Sequence, residues 1–156
     1  MGTKILVALD DSENAMRAVE FIAKHFTPDH EITLFSVLMD TPAICDLQSP
    51  ELTPYFMSQQ NALCALTDRK KDLLASGQER ARELLRKAGY PDGSITAKTQ
   101  VKKRGIARDI IDEARSGYQI VVLGRRGLSS IGEFLLGSVS QKVLHACKEV
   151  TILLVS

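Results

Sequence analysis

The sequence lacks the features that most directly mark a protein for nucleic acid, membranes or secretion. Its 20 Lys and Arg residues are balanced by 19 Asp and Glu residues, so the net charge is only +1. Nucleic-acid and anionic membrane surfaces call for clustered excess positive charge, and no apolar run approaches the roughly 20 residues of a membrane span. The first apolar run is too short for a signal peptide, and no small-residue cleavage site follows it. We therefore expect a cytoplasmic protein whose partners include neither nucleic acid nor a membrane.

Cysteine and histidine are also scarce. Three cysteines cannot all pair with one another, and none of them forms a CxxC motif. We therefore expect reduced, mostly packed thiols. The three histidines are scattered without metal-ligand spacing, which predicts that there is no zinc site. The cysteines are Cys45, Cys64 and Cys147.

Short apolar runs alternate with helical patterns along the whole chain, whose 156 residues suit a single domain. The alternation predicts a βαβαβαβαβ order and therefore a doubly wound parallel α/β sheet with helices on both faces. We expect five strands in the order 3-2-1-4-5. The continuous apolar character of the runs favours strands that are covered on both sides. The predicted strands are Lys4–Leu9, Ile32–Met39, Ile95–Val101, Ile120–Leu123 and Val150–Val155.

One segment, at about 40–67, is less regular than the rest. Three prolines lie in it, and the chain becomes helical only beyond its first part. We expect a variable loop and helix segment here, with Tyr55, Phe56 and Met57 packed in the core. A lid over a ligand and a contact surface for a partner are the alternatives.

Three loops are expected to converge at one edge of the sheet. In a doubly wound fold, ligands bind beyond the carboxyl ends of the strands, where the strand order reverses. With the first strand central, the loops after strands one, two and four meet there. These loops hold Asp10-Asp11-Ser12, Val37–Asp40 and Gly124–Ser140.

The last of these loops has the parts that a polyanion requires. Gly124 leaves a strand where a side chain would block close approach, and Gly127 permits a second turn. Ser138 is the expected N-cap of the last helix, whose unpaired N–H groups and dipole favour an anion. Ser138 and Ser140 add hydroxyl groups. Turn glycines and an ordinary cap explain each residue alone, but the combination indicates phosphate binding. The loop is neither a Walker A motif nor a GxGxxG fingerprint.

The pattern Gly124-x2-Gly127-x9-Gly137-Ser138 resembles, at every spacing, the ATP-binding pattern of the universal stress protein family. The resemblance extends over the whole chain. It implies that ATP, or AMP or ADP, is the cofactor, with Mg²⁺ possible beside ATP. The nucleotide-binding residues implied or expected are Ala8, Leu9, Asp10, Val37, Gly124, Arg125, Arg126, Gly127, Gly137, Ser138, Val139 and Ser140.

The resemblance also implies roles for these residues. Asp10 would meet the ribose or a metal near the phosphates, and the backbone of Val37 would read the adenine edge. Ala8 and Leu9 would line the base pocket. The glycines, Ser138 and Val139 would form the phosphate loop.

Two departures from the family pattern bear on the partners. Arg125 and Arg126 stand where many relatives have smaller residues; they pair with phosphate, point to solvent or cross a dimer interface. The final strand begins Glu149-Val150-Thr151, where relatives often have Pro-Val. Family members commonly dimerise through this edge strand, so the resemblance implies a homodimer through residues 150–155. An unpaired apolar edge would also be an aggregation hazard, which independently favours a partner.

The function expected is a nucleotide-dependent regulatory switch in the stress response. A slow ATPase or a self-phosphorylating protein is the enzymatic alternative. Efficient catalysis is not expected, because no His or Glu is evidently placed as a base. A receiver domain is opposed by Lys102-Lys103-Arg104, where a phosphate-accepting Asp would be required. A nucleotide-independent dimeric adaptor, acting through the segment at about 40–67, is the remaining alternative.

Overall fold

The computed structural model describes residues 2–39, 45, 54–125 and 136–156. These residues form a five-stranded, all-parallel sheet in the order β3-β2-β1-β4-β5. The predicted fold class, strand order and alternation are confirmed. The elements are β1 (Lys4–Ala8), α1 (Glu13–His25), β2 (Glu31–Leu38), α2 (Pro54–Lys87), β3 (Ile95–Val101), α3 (Ile106–Ala114), β4 (Ile120–Gly124), α4 (Ser138–Ala146) and β5 (Thr151–Val155).

The central strand β1 is covered on both faces because successive side chains of a strand point to opposite sides. Ile5, Leu6 and Val7 are each 0% exposed. Ile5 and Val7 belong to the apolar core under α1 and α2, whereas Leu6 belongs to the core under α3 and α4. The uninterrupted apolar run of β1 thus supplies both cores at once.

Helix α1 begins directly after the loop Asp10-Asp11-Ser12. Its N-cap is Ser12, whose hydroxyl accepts a hydrogen bond from the N–H of Ala15 at 3.2 Å. One face of the helix, which includes Val19 and Ile22, is fully buried against the sheet. This packing places the first turn of α1 at the carboxyl end of β1, beside the acidic residues that precede it.

Helix α2 extends past the sheet, and this corrects one prediction. Its 34 residues span about 51 Å at the usual helical rise, which exceeds the length of any strand here. The C-terminal part packs on the sheet through Leu74, Ala81 and Leu85. The N-terminal part extends past it, so the expectation that Tyr55, Phe56 and Met57 are core residues is wrong: they are 75%, 45% and 50% exposed.

The cysteine expectation is also wrong for two of the three residues. Cys45 and Cys64 form a disulfide across a sequence separation of 19, while Cys147 is free and buried. The disulfide joins the region after β2 to the exposed part of α2. A CxxC search cannot reveal such a pair, because the two cysteines are 19 residues apart in the sequence.

The N-cap of helix α3 is Gly105, whose φ of 139° favours glycine. The buried carboxylate of Asp109 accepts hydrogen bonds from the N–H groups of Lys103 and Arg104, at 2.8 and 3.1 Å. These bonds hold the β3–α3 loop in place and set Ile106 at the carboxyl edge of the sheet. Within the described ranges, no helix combines the length and the hydrophobicity of a membrane span.

Candidate functional site

A cleft of ≈ 370 Å³ opens at the carboxyl ends of the strands, where the strand order reverses about β1 and β4. The loops after β1, β2 and β4 converge there, as the sequence predicts. The structure brings most of the predicted site residues into this one cleft: Ala8, Leu9, Asp10, Val37, Gly124, Gly137, Ser138, Val139 and Ser140.

One part of the cleft is apolar, and sequence reasoning missed much of it. Phe35 and Leu123 come from the strands and Ile110 from α3, and all three are buried. The helical spacing of Ile106 and Ile110 was a usable signal, because residues four apart share a face. Other lining residues that were not predicted are Ser12, Ala15, Met39, Lys70, Leu74 and Ile106.

Val37 lies beyond the last backbone hydrogen bond that β2 receives from the β1 side. The N–H of Leu9 donates to the carbonyl of Phe35 at 2.8 Å, and the described residues show no backbone hydrogen bond from the β1 side beyond this one. Backbone groups of alternate residues in a strand face the same side. The N–H and C=O of Val37 therefore face the space that the chain leaves as it turns into α1.

The start of α4 corrects the predicted cap. The N-cap residue is Gly137, not Ser138, and it makes no side-chain cap hydrogen bond. The carbonyl of Gly137 accepts from the N–H of Gln141 at 2.9 Å, as in a regular first turn. The N–H groups of Ser138, Val139 and Ser140 thus have no acceptor inside the helix. They lie at its positive end and line the cleft.

Ser140 anchors this first turn to the sheet. Its hydroxyl donates to the carbonyl of Gly124 at 2.9 Å, and the residue is 4% exposed. The hydroxyl of Ser140 is therefore engaged in a structural contact, and its N–H is a group without an acceptor inside the helix. A second bond, from the N–H of Gly137 to the carbonyl of Arg125 at 3.1 Å, draws together the two ends of the loop between β4 and α4.

Gly124 is required by packing as well as by the cleft. A Cβ placed on it would lie 2.9 Å from both the carbonyl carbon and the oxygen of Asn14. The first turn of α1 thus occupies the space beside the end of β4. From the sequence, the missing side chain of Gly124 is explained by a ligand alone. The structure shows that the first turn of α1 also requires a residue without a Cβ here.

Of the two predicted arginines, the structure describes only Arg125, and it does not line the cleft. Arg125 is exposed, and its N–H continues the ladder between β4 and β5 by donating to the carbonyl of Val155 at 2.7 Å. The cleft lining does not include Arg125. Arg126 and Gly127 lie outside the described residues.

The acidic loop before α1 is organised by hydrogen bonds. One carboxylate oxygen of Asp10 accepts from the N–H of Ser12 at 2.9 Å and from the hydroxyl of Ser12. The next residue, Asp11, forms an ion pair with Lys70 of α2, at 2.6 Å between Oδ1 and Nζ. Lys70 lies four residues before the buried Leu74, so helical spacing could have placed it on the inward face.

Metal ligands are few in this region. Among the residues that the structure describes, no group of three or more His, Cys, Asp or Glu side chains could hold a metal ion. Asp10 is the one carboxylate in the described lining of the cleft. Asp10 could therefore bind Mg²⁺ only together with the oxygens of a bound polyphosphate. This role of Asp10 stays a prediction.

A second groove, of ≈ 730 Å³, runs between α3 and α4. It is larger than the cleft, and Arg108, Lys142 and His145 are among its lining residues. None of the predicted site residues that the structure describes lines this groove, although Ile106 lines both the groove and the cleft. The convergence of loops, helix N-terminus and apolar pocket favours the smaller cleft as the functional site.

Comparison with known proteins decides the family. The family model described as "Universal stress protein family" matches residues 1–155. The chain belongs to this family. Its universal stress protein relatives include Sll1388 of Synechocystis, which is 32% identical over 146 residues, covering 91% of this chain and 90% of the relative. A relative from Mycolicibacterium smegmatis is 29% identical over 142 residues; these cover 90% of this chain but only 44% of that protein's length.

Several solved structures share the fold. The hypothetical protein MJ0577 superposes with a TM-score of 0.69 at 24% identity, covering 99% of this chain and 96% of that one. A universal stress protein from Archaeoglobus fulgidus gives a TM-score of 0.66 at 18% identity, with 100% of both chains covered. A universal stress protein in complex with cAMP gives 0.62 at 18% identity, covering 99% and 96%. At these identities the likeness shows the fold.

Proposed function

We propose that this universal stress protein binds ATP, or another adenine nucleotide, in the cleft and works as a nucleotide-dependent regulatory switch. One observation carries the proposal: a single cleft joins an apolar pocket to the uncapped N-terminus of α4. The apolar pocket suits an adenine ring, and the helix N-terminus suits a phosphate group. The structural neighbour in complex with cAMP supports the choice of an adenine nucleotide.

The base would lie against the apolar side chains near the end of β2. Ala8, Phe35 and Ile110 line that part of the cleft. The backbone N–H and C=O of Val37 supply one donor and one acceptor beside the same space, matching the hydrogen-bonding edge of adenine. Asp10, at the end of β1, is placed to accept from a ribose hydroxyl.

The phosphates would bind at the first turn of α4. Three N–H groups there have no acceptor inside the helix, and the helix dipole adds roughly half a positive charge at this end. Gly137 carries no side chain to cover them. This chain therefore supplies donors to a phosphate without displacing an existing cap.

The substitution Gly137→Asp tests the proposal directly. The dihedral angles of Gly137, φ −57° and ψ 147°, suit an N-cap residue that carries a side chain. The new carboxylate would accept from the same N–H groups and place a negative charge where a phosphate would lie. We expect an unchanged or slightly higher melting temperature and at least about tenfold weaker ATP binding by calorimetry.

The matched control is Gly93→Asp, because a Cβ on Gly93 has no heavy atom within 4 Å. It changes the net charge equally, far from α4, and should leave ATP affinity unaltered. Binding by folded Gly137→Asp protein that equals wild-type binding would refute the phosphate site.

We propose that binding, rather than rapid hydrolysis, is the main activity. Within the described lining, Asp10 and Lys70 are the side chains that titrate. Asp10 accepts from Ser12 and Lys70 is paired with Asp11, and the described lining offers no other ionisable side chain to activate a water molecule. Slow hydrolysis remains the alternative. We further propose a homodimer through the open edge of β5, which pairs with β4 on its other side.

A further inference from the structure

We infer that Lys70 recognises the terminal phosphates of the nucleotide and makes the cleft prefer ATP to AMP. The inference rests on the proposed function and adds a residue of α2 to the site. Lys70 lines the cleft together with Ser138 and Val139 of α4. Its ammonium group lies at the carboxyl edge of the sheet, 2.6 Å from the carboxylate of Asp11.

The charges in the cleft favour this role. Lys70 is the one cationic side chain among the described lining residues, and Asp10 is the one anionic side chain. The first turn of α4 offers only partial positive charge, which suffices for one phosphate. Each further phosphate adds negative charge to the cleft, and Lys70 is the described lining residue with a cationic donor for it, although Asp11 offsets part of its charge.

The ion pair with Asp11 prepares Lys70 for a polyphosphate. The side chains of Asp11 and Lys70 are 15% and 35% exposed, so the pair is partly shielded from water. An ammonium group has three donors, and a bond to Asp11 uses one. The others remain for phosphate oxygens. Because Asp11 already orders the long lysine side chain, less conformational entropy is lost on binding.

The test compares ATP, ADP and AMP binding by calorimetry, in EDTA so that no metal ion supplies the counter-charge. Lys70→Met keeps the apolar stem and removes the charge. We expect ATP to bind at least about tenfold more weakly, AMP to change by less than about twofold, and ADP to lie between them. Lys70→Arg keeps the charge and should retain the preference for ATP.

Lys71→Met is the matched control, because Lys71 is exposed, adjacent and of the same residue type. It should leave all three affinities unchanged. Equal losses for ATP and AMP in Lys70→Met would show a merely structural effect, and unchanged ratios would show no effect; either result overturns the inference. If wild-type protein binds none of the three nucleotides, the proposed function itself fails.

Discussion

At the scale of single residues, small residues of the site also hold the fold together. Gly124 admits the first turn of α1, and its carbonyl accepts the hydroxyl of Ser140 from α4. The end of β4 thus joins helices on opposite faces of the sheet. A substitution here acts on the cleft and on stability together, so binding assays on Gly124 variants require a stability measurement beside them.

Gly124→Ala should lower the free energy of unfolding by about 1–3 kcal/mol. The added methyl group would lie 2.9 Å from the backbone of Asn14, and neither α1 nor β4 can shift without disturbing the core. Urea unfolding measures the loss. Gly93→Ala is the control, since its Cβ would meet no heavy atom within 4 Å; it should stay within about 0.5 kcal/mol of wild type. Equal stabilities for the two variants would contradict the packing argument.

A buried polar network ties α2 to the strands beside the cleft. Gln78 of α2 donates from Nε2 to the hydroxyl of Ser36 at 3.0 Å. That hydroxyl donates in turn to the carbonyl of Leu9 at 2.7 Å. Leu9 lines the cleft. The network therefore fixes the position of α2 relative to the cleft, which Lys70 lines.

At the scale of elements, the open edge of β5 is the surface through which the proposed homodimer would form. The N–H of Thr151 and the carbonyl of Val155 bond toward β4, to Gln119 and Arg125. Alternation therefore turns the backbone groups of Ile152 and Leu154 to the open edge. A second copy of the chain pairing there would bond to these two residues.

Leu154→Pro should abolish the proposed dimer and keep the fold. Proline removes an outward N–H and leaves the ladder to β4 intact, a position at which edge strands tolerate it. Sedimentation measures the assembly and circular dichroism the fold. Ala97→Pro is the control on the opposite edge, because the pairing of β3 with β2 also turns this N–H outward; it should remain dimeric. A dimeric Leu154→Pro protein would place the interface elsewhere.

At the scale of the whole molecule, two apolar cores on either side of one sheet carry ionisable groups of their own. Burial raises the pKa of the Tyr90 and Tyr118 hydroxyls and of the Cys147 thiol. Groups with raised pKa values ionise first in the unfolded chain. Their contribution to stability is therefore complete below the ordinary value of 9.0 for Cys147. It falls as the pH rises through that value and then past the 10.0 of the tyrosines.

Tyr90→Phe should reduce the loss of stability that accompanies a rise to alkaline pH. The hydroxyl of Tyr90 is buried and has no hydrogen-bond partner in the described part of the chain. Its removal should leave stability at neutral pH equal or higher. Urea midpoints across the alkaline range measure the effect. Tyr55→Phe, at a side chain that is 75% exposed, should leave the alkaline slope as in wild type. A slope in Tyr90→Phe as steep as that of wild type would contradict the assignment.

The Cys45–Cys64 disulfide bears on the setting of the whole molecule. Disulfides of this kind persist mainly in oxidising surroundings. The reduced state expected from the cysteine count is therefore wrong in the structure. The cytoplasmic location stays a prediction, and the disulfide weighs against it.

The sequence by itself determined the fold class, the strand order and the place of the cleft. Local patterns suffice for these: apolar runs mark strands, the spacing of Val19 and Ile22 marks a helical face, and parallel topology sends certain loops to one edge. The glycine spacing after β4 also identified the family, which the match over residues 1–155 confirms.

Only the tertiary structure decided which remote residues meet. It brought Lys70 to Asp11 and Cys45 to Cys64, left Tyr55 in solvent, and made Gly137 the cap of α4. Periodicity reports which face of an element is apolar, but not how far that element extends past its neighbours. Contacts between distant segments depend on the path of the chain, which no local spacing encodes.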